Sequence, residues 1–262
     1  MPPPRVVGVA LVAALVAGLV VAAVLIEIRQ RSQMRWCEIV ADWRRFGVGR
    51  SAACIASNAL LRAYAAFHPF HQRAVYRSDA EIEAIAPGAG ALRAAWRVVR
   101  DESRRAPYRA AREMHGGFEI TDDAWDIWVL KRHGCEFTLQ AARAMPTTCG
   151  LLREMGVDMA LLSRLAPGTT LPRHTGPSFC FMRYHLCLEG DGRASIEVDG
   201  NTYVWHPGEH VVFDETRPHS AHNPPGAAAR VVLFADVPRP GLDWLVRIGT
   251  RLTAGAHGWK DD

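Results

Sequence analysis

No pair of the six cysteines (Cys37, Cys54, Cys135, Cys149, Cys180, Cys187) forms a CxxC or a zinc-ligand spacing, which excludes the common structural zinc modules. Six is an even number, so a disulfide set fits an oxidising compartment; in a reducing one the six are small buried hydrophobes. The chain has no basic helix and no alternation of basic with aromatic residues, so it is not read as a nucleic-acid binder. Charge is nearly balanced: 31 Lys and Arg against 27 Asp and Glu leave a net +4, which suits a domain resting beside anionic lipid. Long repeats are absent, and the one compositionally extreme tract is apolar. Val6–Ile26 is a run of 21 apolar or small residues without a charge, and about 20 such residues cross a bilayer. The run exceeds the apolar core of a secretory leader, and Glu27-Ile28-Arg29-Gln30-Arg31 offers no small-residue cleavage site, so it is expected to be a retained anchor. Arg5 precedes it, whereas Arg29, Arg31 and Arg35 follow, which places the rest of the chain on the cytoplasmic side of the inner membrane in a single-pass arrangement.

The 262 residues leave ample length for a core beyond that anchor. Residues 27–75 are expected to form a juxtamembrane helical region, with Trp36, Val40, Trp43 and Phe46 at helical spacing. His68 and His71 bracket Pro69-Phe70 and are read as structural. Pro87-Gly88-Ala89-Gly90 breaks the chain, and Leu92, Ala95, Trp96 and Val99 then mark one face of a helix whose other face carries Arg93, Arg97 and Arg100. Trp125–Leu130 reads as a strand and Cys149–Met155 as a short helix. A domain over 76–240 follows, its β core at 159–240, and residues 241–262 form a tail with Trp244, Leu245, Ile248 and Leu252 as an apolar stripe.

From Met159 the texture changes to short strands at about 10-residue spacing, the pattern of a jelly roll or small barrel. Ala194–Val198 and Thr202–Trp205 flank Asp199-Gly200-Asn201, a hairpin turn. Arg183 and His185 alternate with Tyr184 and Leu186, so the two share a face. His174 and His219 lie far apart in sequence, but strands that fold back can bring two imidazoles together, and neutral imidazole suits iron. The usual iron triad carries a carboxylate two residues after its first histidine; here that position is Gly176. A bidentate 2-oxoacid would supply two further ligands, and Asp214 or Glu215 would act from just outside the metal's own ligands. The far carboxylate of a diacid needs buried donors; Arg230 at the start of the last strand is a candidate, with Ser163 beside it, and Arg183 and His185 are candidates for the metal-proximal end. From spacing alone, a generic cupin barrel holding another metal or none fits as well.

His174-Thr-Gly-Pro, Arg183-Tyr-His185-Leu, Trp205 with Gly208, Phe213-Asp-Glu-Thr, His219, Asn223, Arg230 and Asp236 with Arg239-Pro240 together resemble the aspartyl/asparaginyl β-hydroxylase family, most clearly over about 145–240. The resemblance implies a mainly β catalytic domain of the double-stranded β-helix (jelly-roll, cupin-like) class, preceded by N-terminal helices and one transmembrane helix. It implies Fe(II) as cofactor, 2-oxoglutarate and O2 as co-substrates, His174 and His219 as the metal ligands, and no catalytic side chain beyond the metal centre. Ser163 and Arg230 match the positions that hold the far carboxylate of 2-oxoglutarate, Arg183 and His185 those at its metal-proximal end. The anchor and Phe-Asp-Glu-Thr look like the bacterial lipid A and ornithine-lipid acyl-chain hydroxylases, which implies a membrane lipid as substrate. Glycine at 176 resembles the peptide hydroxylases instead and implies Asp or Asn side chains of a protein. A non-catalytic, membrane-tethered cupin module is the reading from another class; the oligomeric state is left open.

Overall fold

The computed structural model describes residues 73–111, 124–176 and 178–242, with Trp244 and scattered positions before them, among which Asn58, Leu61, Arg62, Tyr64 and Ala65 are helical. The expected anchor Val6–Ile26, most of the 27–75 region with His68 and His71, and most of the 241–262 tail lie outside the described residues. No helix among the described residues is long and apolar enough to cross a membrane.

In chain order the elements are β1 (Val75–Tyr76), α1 (Asp79–Ile85), α2 (Ala89–Ala94), α3 (Trp96–Ser103), β2 (Arg109–Ala110), β3 (Trp125–Lys131), α4 (Leu139–Ala144) and α5 (Pro146–Glu154). There follow β4 (Met159–Leu165), β5 (Thr169–His174), β6 (Phe181–Glu189), β7 (Ser195–Val198), β8 (Asn201–Val204), β9 (His210–Phe213), β10 (His219–Asn223) and β11 (Arg230–Pro238). Every pairing between these strands is antiparallel: a seven-stranded sheet in the order β1-β9-β6-β11-β4-β3-β2 and a four-stranded sheet in the order β5-β10-β7-β8. Alternation decides what each strand does. Along β6, Tyr184, Leu186 and Leu188 point to the outer face of the large sheet, where with Leu162, Leu233 and Val212 they pack under the helices around Leu92, Val99 and Leu152. The intervening Cys187, with Leu165, Val211, Phe213 and Val232, faces Leu171, Ile196, Val198, Tyr203 and Ala221 of the small sheet, and these side chains close the lumen between the two sheets.

Local chemistry fixes the frame. Ser78 caps α1, its hydroxyl accepting from the Glu81 amide at 3.4 Å and donating to the Glu81 carboxylate at 2.7 Å. Glu102 reaches from α3 to the N-terminus of α5, accepting from the Thr147 and Thr148 amides at 3.0 Å each and from the Thr148 hydroxyl at 2.6 Å, so a carboxylate meets the positive end of that helix. The single helix expected across 92–99 is two: α2 ends at Ala94 and α3 starts at Trp96. The indole of Trp96 is pressed on Gly208, where any Cβ would approach it to 2.9 Å, and Arg93 donates to the Gly208 carbonyl at 3.3 Å; the Pro207-Gly208 turn pins the junction. The hairpin between β7 and β8 turns on Asp199 (φ 50°) and Gly200 (φ 77°), the left-handed pair of a type I′ turn, and Asn201 already pairs with Val198. Among the described cysteines, Cys135, Cys149, Cys180 and Cys187 are free thiols.

Candidate active site

The two histidines singled out by the sequence are cross-strand partners. His174 ends β5, His219 begins β10, and the antiparallel register sets them opposite each other with ring centroids 4.2 Å apart. Directly opposed positions bring side chains within reach, and the register shifts immediately after His219, which re-aims that end of the strand. Each ring is held by its own backbone: His174 Nδ1 lies 2.7 Å from the Pro172 carbonyl and His219 Nδ1 lies 2.9 Å from the Arg217 carbonyl. A carbonyl only accepts, so both Nδ1 atoms carry a proton, which in the neutral ring leaves the lone pair on Nε2. Metal-binding imidazoles are commonly oriented this way. Among the described residues no three of His, Cys, Asp or Glu gather as a metal cluster; the arrangement is a histidine pair with Gly176 in the third position.

Glu215 fills the space beside Gly176. A Cβ built there would sit 2.5 Å from Glu215 Oε2 and 2.6 Å from its Cγ, and the Gly176 amide donates to the Glu215 carbonyl at 2.6 Å. The Glu215 carboxylate pairs with Arg183, whose fork also grips Asp236, Nε to Oδ1 at 2.9 Å and Nη2 to Oδ2 at 3.1 Å. Beyond Asp236 stands His133, 3.6 Å from it and 2.5 Å from Asp158. Burial pushes the Glu215 carboxyl up to about 7; Arg183 pulls the other way and Asp236 adds to the rise. Glu215 therefore holds its proton to higher pH than an ordinary carboxyl does. Burial works against charging His133, yet Asp158 and Asp236 raise its pKa. Asp214 faces elsewhere: its carboxylate takes the Thr216 amide at 3.1 Å and hydroxyl at 2.5 Å, and Arg239 at 3.1 Å. Burial opposes ionisation of Asp214, but Arg239 and Arg62 outweigh it and hold its pKa low.

The remaining candidates share the lumenal face of the large sheet. Arg230 opposes Leu165 and Val232 opposes Ser163, so Arg230 and Ser163 are diagonal neighbours on adjacent strands. His185 opposes Phe234, and Arg183 opposes Asp236, on the same face across β11. Arg230 is 2% exposed, and its guanidinium lies 4.5 Å over the Trp205 ring. Its Nε is buried without a hydrogen-bond partner, and no carboxylate among the described residues is paired with it. Burial pulls its pKa down to about 10, the signature of a cation that lacks a counter-ion. Both ring nitrogens of the buried His185 are likewise without hydrogen bonds, and burial first, then Arg230 and Arg183, push its pKa well below the ordinary histidine range. It is a neutral imidazole at pH 7, walled by Trp205, Phe213 and Phe234. Ser163 accepts from the Trp125 indole at 3.0 Å, which leaves its own O–H to donate.

The structure therefore gathers His174 with His219, and Ser163, His185 and Arg230 in one lumen. Arg183 lies on the same face with its fork already engaged by two carboxylates. Sequence reasoning missed His133 and Asp158, which sit in turns with no pattern to mark them.

Two sheets around a lumen, with a cross-strand histidine pair and a buried guanidinium on its walls, define a jelly-roll barrel. Residues 93–240, more than half of the chain, match the family described as aspartyl/asparaginyl beta-hydroxylase, and the chain belongs to that family of hydroxylases. It is 33% identical over 124 residues to an ornithine lipid ester-linked acyl 2-hydroxylase of Rhizobium tropici, covering 46% of this chain and 43% of that protein. It is 26% identical over 164 residues to the mouse aspartyl/asparaginyl beta-hydroxylase, covering 56% of this chain and 21% of that one. An aspartate beta-hydroxylase domain-containing protein 2 of Xenopus tropicalis is 32% identical over 85 residues, 32% of this chain and 23% of that one. The chain spans less than half the length of each of these relatives.

Proposed function

We propose that this protein is an Fe(II)- and 2-oxoglutarate-dependent dioxygenase that hydroxylates an unactivated C–H bond in the acyl chain of a membrane lipid. The observation that carries the reading is the presence, in one lumen, of two histidines fixed in the same tautomer and a buried guanidinium without a counter-ion. The donor set fits the group: two imidazole nitrogens for a borderline metal, and a cation for a dicarboxylate. With iron held by His174 and His219, O2 and 2-oxoglutarate supply the oxidising power for exchanging C–H for C–OH, with succinate and CO2 as co-products. Arg230 takes the far carboxylate and Ser163 donates beside it. Neutral His185 turns an unsatisfied nitrogen to the co-substrate without adding positive charge. Arg183, held by Asp236 and Glu215, builds the wall behind Gly176, and Phe213 with Phe234 keeps water from the middle of the lumen.

The lipid substrate is supported by the identity to the ornithine-lipid enzyme and by the uncharged Val6–Ile26 run, which would tether the barrel to the inner membrane with its catalytic domain on the cytoplasmic side. The second reading, hydroxylation of Asp or Asn side chains in a protein, draws on Gly176 and on the mouse enzyme.

Anaerobic titration of Fe(II) with 2-oxoglutarate tests the chemistry. A weak visible charge-transfer band is expected, absent in His219→Ala and lost in Arg230→Met at the same 2-oxoglutarate concentration. No band with the folded wild-type protein would refute the assignment. Lipid extracts of cells with and without the gene, compared by mass for one oxygen atom, separate the two substrates.

A further inference from the structure

Both stretches of chain next to the histidine pair are gripped from outside the barrel. Phe179 lies on the connection after His174, five positions on; Thr216 lies three positions before His219. The Phe179 amide donates to Asn58 Oδ1 at 2.7 Å, the Phe179 ring lies 5.0 Å under the Arg62 guanidinium, and Arg62 donates to the Thr216 hydroxyl. Arg239 also lies over the Phe179 ring at 3.8 Å, donates to its carbonyl at 2.8 Å and reaches Asp214 at 3.1 Å. Thr216 passes the contact on, its hydroxyl donating to Asp214 at 2.5 Å. Phe179 thus meets two guanidinium groups, and both lead to the turn that carries Asp214, Glu215 and Thr216. Ala65, Phe179 and Leu242 close the apolar side of the clasp. Asn58 and Arg62 precede the residues 93–240 matched by the family.

We propose that Asn58 and Arg62 are positioning residues of the metal site, tying the segment after His174 to the turn before His219 so that the two imidazoles hold their cross-strand spacing. The inference rests on His174 and His219 being metal ligands. Arg62 is 6% exposed and Asn58 4%. Burying a guanidinium is worse for stability than burying an apolar side chain of similar volume, so packing alone would be served better by a methionine. What the charged fork adds is direction: one end fixed on a hydroxyl, one face on a ring. The two β-strands define the pair's register, and the clasp defines the path of the chain where that register ends.

Co(II) provides the test, because it occupies imidazole sites and reports their geometry in its visible spectrum. The full chain is titrated as wild type, Arg62→Met, Asn58→Ala and, as a control, Leu92→Ala, which truncates the core on the outer face of the large sheet away from the clasp. Arg62→Met and Asn58→Ala are expected to weaken Co(II) binding by about 10- to 100-fold, the range for groups that orient ligands, and to shift the visible bands. Leu92→Ala lowers the urea midpoint while leaving both affinity and spectrum at wild-type values. Wild-type affinity and spectrum in Asn58→Ala and Arg62→Met would overturn the inference. If Arg62→Met does not fold, Asn58→Ala, which removes the acceptor of the Phe179 amide without touching a charge, decides the matter alone. Failure of the underlying reading looks different: wild type that binds no Co(II), or His219→Ala that binds it as tightly.

Discussion

Substituting Gly176 by alanine adds one methyl group at a position where the backbone offers no obstacle, since Gly176 is not among the glycines with a left-handed φ. The whole effect must come from Glu215. The new Cβ would lie 2.5–2.6 Å from Oε2 and Cγ of that side chain, whereas non-bonded heavy atoms settle at about 3.5–4.0 Å, an overlap of about 1 Å. Glu215 cannot swing aside: it is 1% exposed, and its carboxylate is paired with an Arg183 that Asp236 already fixes. Overpacking of this kind costs about 1–3 kcal/mol. Replacing Glu215 by alanine empties the space, and Arg183 retains Asp236, so in that background Gly176→Ala should cost under about 0.5 kcal/mol. The assay is a double-mutant cycle by urea unfolding, read at constant m-value. A coupling of about 1–3 kcal/mol in the direction of rescue is expected. Costs that add to within about 0.5 kcal/mol would refute the argument that Glu215, rather than backbone conformation, is what requires glycine here. The same collision forbids Gly176→Asp alone. In the Glu215→Ala background that aspartate has room, and Co(II) binding by the double variant should exceed that of Gly176→Asp.

Arg230→Met should raise the urea midpoint, because it removes a buried cation without a counter-ion, a change of about 1–3 kcal/mol, and should abolish stabilisation by added 2-oxoglutarate; a loss of stability would mean that Arg230 is paired in solution. Glu215 gives a pH signature. Its folded pKa, about 7, stands above the ordinary 4.5, so its contribution is fully present below about pH 4.5 and is lost as pH rises through about 7. Relative to Glu215→Gln, wild type should lose up to about 1.4 kcal/mol per pH unit across that window and then level off. Parallel profiles of the two proteins between pH 5 and 8 would show that the carboxyl is already ionised when folded.

The lumenal face was legible because strand alternation is a strict rule. Arg183 and His185 share a face by parity, and the Asp199-Gly200 turn announces its hairpin. What parity cannot give is which strand lies beside which. Ser163 and Arg230 meet because β4 pairs with β11, 67 positions away by number, and no local pattern encodes that pairing. The histidines were found through a motif; their direct opposition is a matter of register between β5 and β10. Arg183 illustrates the limit most sharply. Its position suggested a ligand for an anion, but a guanidinium goes to whichever carboxylates the fold brings to it, and Asp236 and Glu215 arrive from different strands and turns. His133 and Asp158, joined only through the β3–α4 and α5–β4 turns, left no trace in spacing or composition.

Under the proposed function, the way charge is divided along this lumen would orient a diacid. At the Gly176 end, Arg183 is matched by Asp236 and Glu215, and His133 with Asp158 continues the compensated chain. At the other end Arg230 stands over Trp205, and no carboxylate among the described residues is paired with it. Between them His185 stays uncharged because both arginines and its burial oppose a proton. In the proposed reaction, an anion entering the barrel gains most where the field is uncompensated, so one carboxylate goes to Arg230, and the other end of the molecule is left toward the histidine pair. Uniform compensation along the wall would bind a diacid in either direction; the missing counter-ion of Arg230 is what selects one.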